Sequence, residues 1–169
     1  MKEIYFAGGC FWGTEHYFKQ INGVISTEVG YANGNTANPT YEEVYTDTTG
    51  YVECVKVIYD PLIITLEYLV ELFFRSIDPL SLNQQGNDCG TRYRTGVYYA
   101  DVDDITKIKS IFDIVEKSVG KPLAVELSLL QNFYPAEEYH QDYLDKNPNG
   151  YCHIPTSLMM MARLANKKL

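Results

Sequence analysis

The chain lacks the marks of several large protein classes. No apolar run approaches the ~20 residues of a membrane-spanning helix, and the Lys2-Glu3 start lacks the apolar stretch of a signal peptide. Lysine and arginine number 14 against 22 acidic residues, a formal charge of −8, and the lysines are scattered, which argues against nucleic-acid binding. No Gly-x-Gly-x-x-Gly follows a strand-like segment, and internal repeats and low-complexity tracts are missing. Cysteine is sparse, at four, with no Cys-x-x-Cys or His-x-x-x-His spacing. Cys10, His140, Cys152 and His153 could supply nitrogen and sulfur ligands to zinc, but nothing in their spacing supports it, so no metal or other cofactor is expected. These absences point to a cytoplasmic protein with reduced thiols that works without membrane or nucleic acid, its four cysteines catalytic or incidental rather than a disulfide framework.

What is present fits an ordinary globular chain. At 169 residues, 46% hydrophobic and 21% charged, it is expected to form one domain over 1–169 that buries a core without metal or disulfide staples. Tyrosine is abundant, at 15, and tryptophan occurs once. Most tyrosines serve packing, but those in polar, glycine-rich segments are placed to donate hydrogen bonds in a pocket.

That single tryptophan lies in the most informative run, Gly8-Gly9-Cys10-Phe11-Trp12-Gly13. Glycines let backbone come close to a ligand and adopt turns other residues resist. A cysteine opening a helix faces free N–H groups and the positive dipole end, which predicts a stabilised thiolate. Phe11 and Trp12 offer an apolar wall beside it.

Residues 3–7 alternate and predict a strand, followed by a helix over 12–20 that ends near Asn22-Gly23. Strands are expected over Val24 to Tyr31 and Val52 to Tyr59. Thr65 caps a helix with Leu66, Leu69, Val70, Phe73 and Ile77 on one face. Val97 and Tyr99 mark a strand, and Ile105, Ile108, Phe112, Val115 and Val119 form the stripe of a helix stopped by Gly120 and Pro122. Val125, Leu127 and Leu129 alternate as a further strand, and Pro135 is predicted to open a short helix carrying Tyr139, His140, Tyr143 and Leu144. A loop-rich tail is expected from about residue 148. The fold class is therefore α/β of the α+β kind: a two-layer sandwich with helices on a mixed sheet around a split β-α-β (ferredoxin-like) core. Two long loops, 32–51 and 78–93, have the length of functional segments.

Several residues could carry chemistry. Glu53 shares a strand face with Val55, Val57 and Tyr59, so it is either a wet residue at a strand start or a desolvated acid that keeps its proton near neutral pH. The loop Gln85-Gly86-Asn87-Asp88-Cys89-Gly90-Thr91-Arg92-Tyr93 gathers donors and acceptors as a turn cluster or a binding loop. Asn38-Pro39-Thr40-Tyr41-Glu42-Glu43 reads as a turn feeding a short helix. Cys152 lies in an irregular segment, and Cys54 alternates within a strand as an inert small hydrophobe. A cysteine hydrolase is an alternative, with His16, His140 or His153 as base. Another is a redox-sensing or binding module that uses the aromatic pocket to hold methionine-containing partners without turnover. The run Met159-Met160-Met161 is assigned to packing of the tail.

These blocks, in order, resemble peptide methionine sulfoxide reductases of the A type. The resemblance runs from Gly8–Gly13 through Gly30-Tyr31, Asn38–Val44, Thr49–Glu53, Tyr59-Asp60-Pro61, Gln85–Asp88, Gly90-Thr91, Tyr93-Arg94, Glu138–Leu144 and Lys146-Asn147-Pro148 to Gly150-Tyr151-Cys152. It implies an S-epimer-specific reductase of methionine sulfoxide, free or in peptides and proteins. Cys10 would attack the sulfoxide sulfur and Glu53 would protonate its oxygen. Tyr41, Asp88 and Tyr93 would surround that oxygen, and Phe11 and Trp12 would hold the methyl group. The resulting sulfenic acid on Cys10 would be resolved by Cys152 as a disulfide. A thioredoxin-type dithiol, or dithiothreitol in vitro, would reduce it, and the enzyme would work as a monomer. The chain departs from the family pattern at Tyr51, where histidine is common, at Arg92, where glutamine is common, and at Cys89, a third thiol among the site loops.

Overall fold

The structure is a computed structural model that describes residues 1–165. Along the chain it forms β1 (Lys2–Gly8), α1 (Phe11–Lys19), β2 (Val24–Ala32), α2 (Tyr41–Tyr45), β3 (Val52–Tyr59), α3 (Leu66–Arg75), the two-residue strands β4 (Gln84–Gln85) and β5 (Asp88–Cys89), β6 (Thr95–Tyr99), α4 (Ile105–Val119), β7 (Glu126–Leu129), β8 (Phe133–Pro135), α5 (Tyr143–Lys146) and α6 (Thr156–Leu164).

Six strands make one mixed sheet in the order β7-β6-β1-β3-β2-β8. β3 lies between β1 and β2 and is antiparallel to both, so β1-α1-β2 is a split β-α-β unit. β1 divides β3 from β6 in the same way, which makes β3-α3-β6 the second split unit. The α+β class and split core expected from the sequence are found. β7 extends one edge in parallel to β6, as a strand reached through a crossover helix can.

The core follows from the period-2 pattern of these strands. Ile4, Phe6, Val29, Tyr31, Val55, Val57 and Tyr59 point toward α1 and α3, where Phe18, Leu69, Val70 and Phe73 meet them. Phe6 stacks on Phe18 at 4.5 Å and on Phe73 at 4.9 Å between ring centroids. On the opposite face Tyr5, Ala7, Ala32, Val52, Cys54 and Tyr98 form a smaller cluster covered by Leu130 and Phe133. Thr65 caps α3 by accepting from the Tyr68 N–H at 3.1 Å, and Gly120 closes α4 in the left-handed conformation at φ 72°.

The irregular regions differ from the sequence reading. Pro135 does not open a helix. It ends β8, an edge strand paired with Gly30–Ala32, where a residue without an N–H is tolerated. Past that strand the Gln141 side chain replaces a neighbour, its amide both accepting from Val29 N (2.9 Å) and donating to Val29 O (2.8 Å). The 32–51 loop does hold the short helix expected after Asn38-Pro39-Thr40, α2, fixed by a capping box of Thr40 and Glu43. The 78–93 loop holds the β4–β5 hairpin and a 3-10 turn at Thr91–Tyr93. The tail expected as loop contains α6, which buries Met159 and Ala162, while Met160 stays exposed.

Candidate active site

β1 delivers the chain to Gly8, and Gly9 turns it into α1 with φ +90°. A Cβ at Gly9 would lie 2.8 Å from Gln85 Cβ, so the turn needs glycine both for its dihedral and for its close approach. Cys10 follows as the N-cap residue of α1, 6% exposed. The expected thiolate is corrected here. Burial raises the Cys10 thiol well above its ordinary range, and the nearby Glu53 carboxyl adds to this, while the backbone N–H groups of Trp12 and Gly13 favour the thiolate. In this geometry desolvation outweighs the helix terminus, and Cys10 rests as a thiol.

Glu53 sits on β3 opposite Tyr31 of β2, facing α1. It is 2% exposed, which removes the reading of a wet strand start. The Phe11 N–H donates to Glu53 Oε1 at 3.0 Å, tying the acid to the residue after Cys10. Burial pushes the carboxyl up to about 8; the Phe11 N–H and the Arg92 charge oppose this, and Asp88 and Asp47 reinforce it. Glu53 is therefore mostly protonated at neutral pH.

Two tyrosines face this pair. Burial, and then the proximity of the ionisable Glu53 and Cys10, pushes the Tyr41 phenol up to about 12, and Tyr93 is raised by burial and the same two groups. Both hydroxyls therefore keep their protons and remain donors. Tyr41 is held by its backbone N–H, which donates to Glu137 Oε2 (3.0 Å), while Tyr31 Oη donates to Glu137 Oε1 (2.8 Å). Tyr93 is held by Arg92, whose guanidinium lies 4.4 Å from its ring centroid and 4.1 Å from that of Tyr45. Arg92 is in turn paired with Asp47 at 2.6 Å.

The aromatic wall is fixed from behind. Trp12 stacks on Tyr143 at 3.7 Å with the rings 9° from parallel, and its Nε1–H donates to His140 Nδ1 at 3.0 Å. His140 is buried and its ring also lies 5.1 Å from Phe11 and 4.7 Å from Tyr41. Since His140 is turned to Trp12, it does not serve Cys10 as a hydrolase base, and His16 lies beside Asp145 at 3.5 Å.

The tail folds back over the same place. Tyr151 Oη donates to Asp88 Oδ2 at 2.9 Å, and His153 Nε2 donates to Gly8 O at 2.8 Å. A Cβ on Gly13 would meet Cys152 Sγ at 3.2 Å and His153 Nδ1 at 2.9 Å, so the missing side chain of Gly13 is the seat of the tail. All four cysteines are free thiols; Cys54 is buried on the opposite sheet face, and Cys89 is exposed on β5. Among the described residues no group of three His, Cys, Asp or Glu side chains could hold a metal ion, and no helix is long and apolar enough to cross a membrane.

Glu137, His140, Tyr143, Tyr151 and His153 take supporting places that the sequence alone does not assign to them. The dense run 137–143 signalled the first three, but only the fold brings it against Trp12 and Tyr41. Tyr51, in the position where histidine is common, fills the space over Gly34 and donates to Thr36 O.

A protonated buried acid, a desolvated thiol, two phenol donors and a returning tail that seats a second thiol over Gly13 place the chain among thiol-dependent oxidoreductases on an α+β scaffold. The family model for peptide methionine sulfoxide reductase matches residues 2–168. The chain belongs to the peptide methionine sulfoxide reductase family and is an oxidoreductase of that type. It is 54% identical over 159 residues to the peptide methionine sulfoxide reductase MsrA of Clostridium acetobutylicum, covering 94% of this chain and 98% of that one. Mxr1 from Saccharomyces cerevisiae in reduced form is 40% identical, with a TM-score of 0.85 over 92% of this chain and 90% of that one. The same yeast protein in complex with Trx2 matches at 28% identity and a TM-score of 0.60, over 84% of each chain.

Proposed function

We propose that the chain reduces the S epimer of methionine sulfoxide through Cys10. The observation that carries this reading is the Phe11 N–H bond to a fully buried, protonated Glu53 directly behind the nucleophile. A sulfoxide oxygen is a poor leaving group until it is protonated, and a carboxyl that keeps its proton to about pH 8 can supply that proton. As the Cys10 sulfur bonds to the sulfoxide sulfur, Glu53 gives its proton to the oxygen and its carboxylate takes the thiol proton; the new S–S bond then breaks as the hydroxyl passes from the substrate sulfur to the Cys10 sulfur. The products are methionine and a Cys10 sulfenic acid, with Glu53 again protonated.

The surrounding residues serve binding. Tyr41 and Tyr93 donate to the oxygen, and Asp88 shapes its edge through water. Phe11 and Trp12 receive the methyl group. An oxygen cradle on one side and a methyl niche on the other admit one configuration at sulfur. Cys152 then attacks the sulfenic acid and water leaves, closing a Cys10–Cys152 disulfide that a thioredoxin-type dithiol reopens. The likeness to a yeast relative captured with Trx2 supports that reductant.

With dithiothreitol and a peptide carrying both sulfoxide epimers, the S form is expected to be consumed completely and the R form to persist, as read by chiral chromatography. Consumption of both at similar rates would remove the cradle-and-niche assignment. Gly13→Ala is expected to push Cys152 off α1 and slow disulfide closure by about tenfold while methionine still forms once per enzyme, as read by thiol counting after rapid quench. Unchanged closure would show that Gly13 does not seat the tail.

A further inference from the structure

His153 has a base-like atom with nothing to do in the resting chain. Its Nε2 lies 2.8 Å from Gly8 O, a carbonyl that can only accept, so the ring carries its proton on Nε2. Nδ1 is then a free lone pair. It is shielded from solvent and has no hydrogen-bond partner among the described residues. Buried polar atoms are seldom left this way without a reason.

The position of that lone pair is informative. Nδ1 and the Cys152 sulfur both face the point where a Gly13 Cβ would stand, at 2.9 and 3.2 Å from it. At rest the Cys152 thiol donates to Ile154 O at 3.4 Å, an acceptor that cannot carry a proton away. His153 Nδ1, which shares the Gly13 seat with this sulfur, is an acceptor that can.

We infer that His153 is the general base of the second half-reaction, taking the proton of Cys152 as that sulfur attacks the Cys10 sulfenic acid. The inference rests on the proposed resolution by Cys152. In the step, the Cys152 S–H bond breaks and its proton moves to Nδ1. The new S–S bond forms as the S–O bond of the sulfenic acid breaks, and the departing hydroxide takes the proton from Nδ1 to leave as water. Cys10 sulfur is reduced, Cys152 is oxidised, and His153 ends neutral.

The surroundings suit the role. Burial lowers the imidazole below its ordinary range, with the Gly8 carbonyl and Asp88 opposing, so the ring is neutral and able to accept a proton at pH 7. Burial also raises the Cys152 thiol, against the pull of its contact with Ile154, so it does not ionise without help. Asp88 of β5 is the charge that faces the ring; Gly8, Gly9, Gly13, Gln85 and Gly86 supply neutral neighbours.

The test compares the full-length chain with His153→Gln, whose amide reaches the place of Nε2 and can still donate to Gly8 O, and with His153→Asn, whose shorter amide takes the place of Nδ1; neither can act as a base. Rapid quench after one equivalent of S-sulfoxide reads methionine formation and loss of free thiols separately. The ratio of disulfide closure to methionine formation is expected to fall by about 10²-fold near neutral pH, a usual size for general base catalysis. Closure in both variants should then climb with pH as the thiol ionises by itself, whereas wild type stays level. Closure at the wild-type ratio, or slowing by the same factor at every pH, would overturn the inference. Failure of wild type to form a Cys10–Cys152 disulfide at all would instead overturn the resolution step on which it rests.

Discussion

Cys10→Ser is expected to leave a peptide methionine sulfoxide untouched, with turnover reduced to the background given by the reductant alone. The substitution keeps the small polar side chain at the N-cap of α1, and serine is itself a favoured cap, so the fold should survive. What is lost is the nucleophile, because a hydroxyl neither attacks sulfur as readily nor holds an oxygen as a stable reduced-sulfur acid can. The assay is the mass of the peptide, which should show no loss of oxygen after long incubation. Retained turnover at even a tenth of wild type would remove Cys10 from the centre of the mechanism.

Glu53→Gln has the next largest expected effect, a loss of about 10²- to 10³-fold in the rate of methionine formation. The amide oxygen can still accept from Phe11 N–H, so the geometry is kept and only the transferable proton is gone. In wild type the first step should weaken as pH rises through about 8, where the acid gives up its proton, and the variant should not show that fall. Stability follows the same proton, but here the substitution is a gain. The folded acid is raised from 4.5 to about 8, so between those values the folded chain binds more protons than the unfolded one. Wild-type stability contributed by the protonated acid is present below about 4.5 and lost as pH climbs to about 8. The melting temperature of Glu53→Gln should thus gain on wild type across that window. An unchanged gap, with an unchanged rate profile, would mean that Glu53 does not carry a proton in the folded chain.

Both effects trace to residues the sequence made visible to different degrees. Alternation and capping identified β3, α3 and α4 because their apolar period is clean, and the two split units follow from strands and helices taking turns. The glycine-flanked Cys10 was legible as a site because few other uses explain that run. Its protonation was not: a helix N-terminus is a local signal, whereas the desolvation that overrides it comes from β3 and the loops packed around it. Glu53 was ambiguous for a related reason, since strand period gives the face and not its depth.

Other parts were illegible because their partners lie far along the chain. Pro135 reads as a helix start from its immediate neighbours, and only the pairing with Gly30 makes it the end of an edge strand. The use of Glu137 to anchor Tyr41, 96 residues earlier, has no local signature. The Tyr151–Asp88 bond and the seat of Cys152 over Gly13 depend on the tail returning to α1, which the α6 helix secures through Met159 and Ala162.

The central claim is that one oxygen passes from a sulfoxide to Cys10 and is released by Cys152. Its most direct test is Cys152→Ser, mixed with excess S-sulfoxide peptide and a thioredoxin recycling system, in the presence of a sulfenic-acid-trapping diketone. About one methionine per enzyme and a single adduct on Cys10 are expected. Sustained turnover, or an adduct on Cys89 with none on Cys10, would contradict it.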